Sequence, residues 1–174
     1  MADRLSNYTE EEKRKIVQKV RQTALENELA ITGCARSVVD ALHKHLGLGS
    51  EEVIRGLAPF AGGTARTGKM CGAVVGGVTG IGLAFAPNTL RGALKEPAYT
   101  KSIDLAGMFC ERFEEKSGAL ICREIQHAMF GRTWNFRDPK DREDFFKPET
   151  HDKCAEVAAE AAALAAEIIL DNQD

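Results

Sequence analysis

The sequence predicts an all-α protein, a single-domain helical bundle of about five to seven helices around a glycine-rich central helix. Three observations lead there. Apolar residues recur at three- and four-residue spacing through most of the chain. The interruptions carry Gly, Pro, Ser or Thr where helices start and stop. No run of alternating β-branched residues is long enough for a strand. The 174 residues form one domain, 1–174, long enough to bury a core.

Thr9-Glu10-Glu11-Glu12 has the form of a capping box and starts a helix running to about Leu29, with Ile16, Val17, Val20 and Leu25 inward. After Gly33, the spacing of Cys34, Val38, Ala41, Leu42 and Leu46 predicts a second helix, closed by Gly47 and Gly49. Ser50 caps a short helix through Leu57, limited by Pro59. A glycine-rich turn, 60–68, leads into the helix that carries Cys71. There Gly72, Gly76 and Gly80 lie four apart on one face, so a neighbouring backbone or a bulky cofactor can approach closely. Tyr99 to Lys116 reads as an amphipathic helix with Ile103, Leu105, Ala106, Phe109 and Phe113 inward. A short helix from Ala119 to Phe130 and a final helix from Asp152 to Leu170 complete the set. Between them, 131–148 mixes Trp134, Phe136, Phe145 and Phe146 with charged residues. It reads as an ordered, aromatic-pinned loop insertion, a lid over a site or a dimer contact.

Composition excludes several classes. The formal charge of −3 and aromatic content of 6% argue against a nucleic-acid binder, which needs basic surplus and stacking surface. Met70 to Leu90 holds no charged residue, but its five glycines and its Pro, Asn and Thr fit a buried helix better than a membrane span. The first residues show no apolar leader, so a reducing cytoplasm is the expected location. There cysteines are more often ligands or reactive thiols than disulfides.

Four of the five cysteines fall just after helix breakers: Cys34 after Gly33, Cys71 after Gly68, Cys122 after Gly118, and Cys154 after Pro148 and Thr150. A helix start offers unpaired N–H groups and partial positive charge, both favourable to a thiolate. No two are spaced as a CxxC, so only the fold can bring them together. Cys110 sits mid-helix and reads as a core cysteine. His43 and His45 suit a helix end. His127 and His151, near Cys122 and Cys154, read as surface residues or as partners of the thiols. Gly63 to Met70 nearly spells a P-loop, but Met70 stands where a Ser or Thr must hold Mg²⁺ and no strand precedes it. Neither it nor Gly77, Gly80 and Gly82 defines a nucleotide site.

Cys71-Gly72-Ala73-Val74-Val75-Gly76, with Gly33-Cys34-Ala35 upstream and Cys122 and Cys154 downstream, resembles the C-GCAxxG-C-C family, whose members are described as redox-active. The resemblance covers roughly 34–154. The family label writes GCAxxG where this helix reads CGAxxG, and Gly33-Cys34-Ala35 has the GCA order but Val38 where the last glycine falls. The resemblance implies a helical, cysteine-dependent redox domain. Some relatives are joined to c-type haem segments; without a CxxCH, covalent haem is not expected here.

The leading expectation is that Cys34, Cys71, Cys122 and Cys154 converge as ligands of an iron–sulfur cluster, [2Fe–2S] or [4Fe–4S], with Gly72 and Gly76 making room for it. Such a domain passes electrons to a redox partner protein and is an accessory more than a stand-alone enzyme. Thiol–disulfide chemistry with Cys71 as a low-pKa nucleophile stays open, as does a structural zinc site made of the same four cysteines. The glycine face and aromatic loop also suit a homodimer.

Overall fold

The computed structural model describes residues 8–31, 33–91 and 93–173. The N-terminal residues that show no apolar leader lie outside them, apart from the capping region. Among the described residues there are eight α-helices and no β-strand: α1 (Glu10–Ile31), α2 (Cys34–Leu46), α3 (Glu51–Gly56), α4 (Gly72–Phe85), α5 (Pro97–Ser117), α6 (Cys122–Phe130), α7 (Pro139–Phe145) and α8 (Pro148–Asp171). The all-α bundle is as the sequence predicts. The additional helix, α7, lies within the tract that reads as a loop. Asp138 caps it by accepting the Lys140 N–H at 2.8 Å, and Pro139 opens it, a local start signal masked by the dense charge around it.

The helix boundaries follow from local chemistry. At the start of α1 the capping box closes reciprocally: the Thr9 N–H donates to Glu12 Oε2 at 2.8 Å, and the Glu12 N–H donates to Thr9 Oγ1 at 3.3 Å. Helices α2, α5 and α6 each end on a glycine in the left-handed region, Gly47, Gly118 and Gly131, whose N–H returns to the last turn.

Five long helices make the bundle. α1 packs on α2 and α8, and α4 packs on α2, α5 and α8. The glycine-rich α4 is interior, but it shares the centre with α8, which touches α1, α2, α4 and α5. The reason is composition: α8 buries Ala155, Ala158, Ala159, Ala161, Ala162, Ala165 and Ala166, with Leu164, Ile168 and Ile169. Small side chains on nearly every face let several helices approach it at once. In α5, Leu105, Phe109 and Phe113 are buried as expected, whereas Ile103 is 55% exposed. Ser102 takes the inward position instead, its hydroxyl satisfied by the Tyr99 carbonyl at 2.7 Å. Ion pairs join the outer surfaces, Arg21 to Glu156 and Glu160 across α1–α8 and Arg112 to Glu167 across α5–α8.

The glycine stripe of α4 has a packing reason. A Cβ on Gly76 would lie 2.7 Å from Val38 Cβ and 2.9 Å from the Ala35 carbonyl oxygen, and one on Gly80 would collide with Leu42. The partner is α2. Gly77, on another side of α4, receives the ring of Phe109 from α5. The glycine face that suits a dimer contact is thus taken up within the chain.

Candidate functional site

Four elements deliver the four cysteines. Cys34 is the first residue of α2, Cys71 is the N-cap of α4, and Cys122 is the first residue of α6. These three placements match the sequence reading. Cys154 does not: α8 begins at Pro148, so Cys154 lies beyond the first turn, where its surrounding N–H groups are already engaged in the helix. Proline at the first helical position starts α8 ahead of the point where its apolar periodicity begins.

Cys71 and Cys122 are held in register by an irregular backbone. Met70 and Ile121 form an isolated antiparallel bridge, the Cys71 N–H donates to the Leu120 carbonyl at 3.0 Å, and the Cys122 N–H donates to the Lys69 carbonyl at 2.7 Å. The chain reaches this clamp through five consecutive left-handed residues, Gly62, Gly63, Thr64, Ala65 and Arg66, the last three with φ of 55°, 52° and 60°. Each non-glycine residue there costs about 1–2 kcal/mol, so the surroundings must hold the turn. They do: the Arg66 N–H donates to the Ala61 carbonyl, the Gly68 N–H to the Gly62 carbonyl, and the Thr67 hydroxyl sits 2.8 Å from the Gly63 carbonyl. Gly63 permits the closest approach, since a Cβ there would lie 2.7 Å from Cys122 Cβ. This is the stretch that nearly spells a P-loop; it is a left-handed turn without the strand that a P-loop follows.

Between the elements lies a cavity of about 160 Å³ lined by Cys34, Cys122 and Cys154 together with Glu28, Arg66 and Arg142. Phe136, Phe145 and Phe146 form its aromatic wall. Cys71 is buried next to this group, and each of the four sulfurs lies within electrostatic reach of the other three. All four are free thiols. Gly72 also borders the site: a Cβ there would meet the Phe60 carbonyl at 2.6 Å and Cys34 Cβ at 3.1 Å. Gly76, one turn on, packs against α2. Among the described residues, no group of three or more His, Cys, Asp or Glu is arranged to hold a metal ion.

Burial dominates the electrostatics. It pushes Cys34 and Cys154 well above the ordinary thiol value and Cys122 up to about 12, with the neighbouring thiols adding to each. Cys71 is raised as well. The Ala73 and Val74 N–H groups act on its sulfur in the thiolate direction, but they form no full capping bond and desolvation outweighs them. At Cys71 the helix start thus acts toward the thiolate, the direction that the alternative reading of Cys71 as a nucleophile needs, and burial acts more strongly against it.

Two residues that the sequence pattern does not single out complete the site. Glu28, on α1 and 4% exposed, accepts from the Ser37 hydroxyl at 2.8 Å, the Gly33 N–H at 3.1 Å and the Cys34 thiol at 3.5 Å. Gln126 accepts the Trp134 N–H at 3.0 Å and donates to Cys122 Sγ at 3.5 Å, tying the aromatic segment to a thiol. Both are polar residues on otherwise amphipathic helices, and only their turning inward distinguishes them. Cys110 lies on α5 away from the cavity, packed at the edge of the core. His127 is exposed. His151 is 8% exposed and meets the rings of Phe145 and Phe146 edge-on, so it belongs to the aromatic wall and not to the surface.

In this all-helical bundle three free thiols, Cys34, Cys122 and Cys154, line one cavity, and the fourth, Cys71, is buried beside them. The family described as "Putative redox-active protein (C_GCAxxG_C_C)" matches residues 32–168, which take in all four of these cysteines, and the chain belongs to that family. No curated protein and no solved structure matches the chain. None of the described helices is long and apolar enough to cross a membrane.

Proposed function

We propose that Cys34, Cys71, Cys122 and Cys154 together hold an iron–sulfur cluster, [2Fe–2S] or [4Fe–4S], and that the protein passes electrons to a redox partner protein in a reducing compartment such as the cytoplasm. The observation that carries this reading is that three free thiols line one cavity and the fourth, Cys71, is buried within electrostatic reach of them. A single Zn²⁺ needs sulfurs at about 2.3 Å from one point, nearly touching one another. Here Cys34, Cys122 and Cys154 line a cavity of about 160 Å³, room that suits a group of several atoms better than one ion. Four thiolates complete the ligand set of either cluster type, and the group would supply one-electron transfer when bound.

The surrounding residues suit a negatively charged group. Arg66 and Arg142 line the cavity, the start of α4 points N–H groups at Cys71, and Gln126 donates to Cys122. Thiol–disulfide exchange through Cys71 is the second reading, favoured by those same N–H groups and opposed by its burial.

Anaerobic purification with absorption spectroscopy and assays of iron and acid-labile sulfide tests the proposal. The expected result is a coloured protein bleached by dithionite, with iron lost on Cys→Ser substitution at any of the four positions and kept in Cys110→Ser. Colourless protein with stoichiometric zinc overturns it. Metal-free protein whose Cys71→Ser variant loses disulfide exchange transfers the assignment to the thiol reading.

A further inference from the structure

A second cavity, of about 450 Å³, opens beside the thiol cavity and falls in the size range of small-molecule sites, about 300–1,000 Å³. Three separate segments line it. Arg66 comes from the left-handed turn, Arg123 from the first turn of α6, and Thr133, Trp134, Asn135 and Arg137 from the segment before α7. No carboxylate lines it. That is a strong segregation of charge in a chain whose formal net charge is −3.

The donors are also uncommitted. Among the described residues, the guanidinium groups of Arg66, Arg123 and Arg137 have no ion-pair or hydrogen-bond partner, in contrast to Arg132, which reaches Asp144 at 3.3 Å. Asn135 accepts the Arg137 N–H through Oδ1, which leaves its amide NH₂ free to donate. Arg66 is presented from a φ of 60°, a conformation that a residue with a long side chain adopts at a cost. Planar guanidinium forks supplied by three segments match oxygens that carry several negative charges, whereas a singly charged ligand would leave most of their mutual repulsion in place.

We propose that this cleft binds a compact multivalent oxyanion, a ligand bearing two or more phosphate or carboxylate groups, through Arg66, Arg123 and Arg137. The site stands whatever the four thiols hold. Because Arg66 lines both cavities, the bound anion lies next to the redox site.

Trp134 is the only tryptophan of the chain and lines the cleft, so its emission reports occupancy in the intact protein. Titration with pyrophosphate and with citrate, each at fixed ionic strength, is expected to give a saturable change at millimolar concentration or below for at least one of them. Response to pyrophosphate alone assigns a phosphate ligand, and response to citrate alone a polycarboxylate. The exposed pair R123A/R137A is expected to keep its far-UV circular dichroism and to weaken binding by about tenfold or more. No saturable change with either probe overturns the proposal. So does a change that sodium chloride reproduces, or one that the double variant retains.

Discussion

Where α4 crosses α2, backbone meets side chain directly: Gly76 lies against Val38 and the Ala35 carbonyl, and Gly80 against Leu42. One helical turn away, at Gly72, the same two helices border the thiols, and the construction changes. Buried polar groups enter (Glu28, Ser37, Gln126), the backbone runs left-handed from Gly62 to Arg66, and aromatic rings replace alanines as the packing material. The first region is regular and close-packed with few polar atoms. The second brings several buried sulfurs and a carboxyl group together, an arrangement that lacks any evident stabilising purpose of its own. The contrast separates what holds the bundle from what the bundle holds.

The largest expected effect breaks the first region. In Gly76→Val a side chain must enter where even a Cβ lies 2.7 Å from Val38 Cβ, and we expect a loss of about 3 kcal/mol in urea unfolding. Gly82, in the same helix with nothing within 4 Å of its would-be Cβ, is the control. Gly82→Ala should stabilise by up to about 1 kcal/mol through helix propensity. If the two substitutions behave alike, the close contact of α4 on α2 is not what organises the core.

The next effect breaks the second region. Glu28→Ala leaves the Gly33 N–H without its buried side-chain acceptor and the Ser37 hydroxyl with only its longer contact to the Gly33 carbonyl, a loss of about 2 kcal/mol. Ala65→Gly should act in the opposite direction, stabilising by about 0.5–1 kcal/mol as the left-handed strain is released against the greater freedom of glycine when unfolded.

The smallest effects sharpen the comparison through pH. Burial raises Glu28 above its ordinary 4.5, and its hydrogen bonds from Ser37, Cys34 and Gly33 only partly offset this. Its folded form binds the proton more tightly than the unfolded chain does. The contribution is therefore fully present below the ordinary carboxylate value and is lost as pH rises through the higher folded value. Glu160, at the α1–α8 surface, is partly raised by burial but lowered overall by Arg21 and Lys116. Its contribution is present above 4.5 and is lost as pH falls through the lower folded value. Urea midpoints across the acid range should show opposite changes of slope in Glu28→Gln and Glu160→Gln. The second should stay within about 1 kcal/mol because its pairs with Arg21 and Lys116 lie at the solvent-accessible surface. Slopes of the same sign would show that burial does not raise Glu28 above its ordinary value.

Much of the fold is legible from the residues. The capping box at Thr9–Glu12, the glycine stops after α2, α5 and α6 and the apolar spacing of α2 are local signals, and local signals survive into the structure. The pattern places the start of α8 late because Pro148 to Asp152 is polar, and periodicity cannot register a helical turn that buries little. It passes over α7 for the same reason. Ile103 reads as inward because the pattern shows an apolar face but not how wide the neighbouring helix is.

The site divides in the same way. Sequence by itself determined that four cysteines stand apart from Cys110, that three of them open or cap helices, and that α4 needs a close neighbour, because each of these depends on residues adjacent in the chain. Only the tertiary structure decided that the neighbour is α2, that Cys34, Cys122 and Cys154 line one cavity with Cys71 buried beside it, that Glu28 and Gln126 turn inward to two of the thiols, and that Arg66, Arg123 and Arg137 share a cleft. Those relations join residues far apart in sequence, and no local propensity encodes a distance across the bundle. Cys71 follows the same division: its helix start favours the thiolate, and the burial that the fold imposes outweighs it.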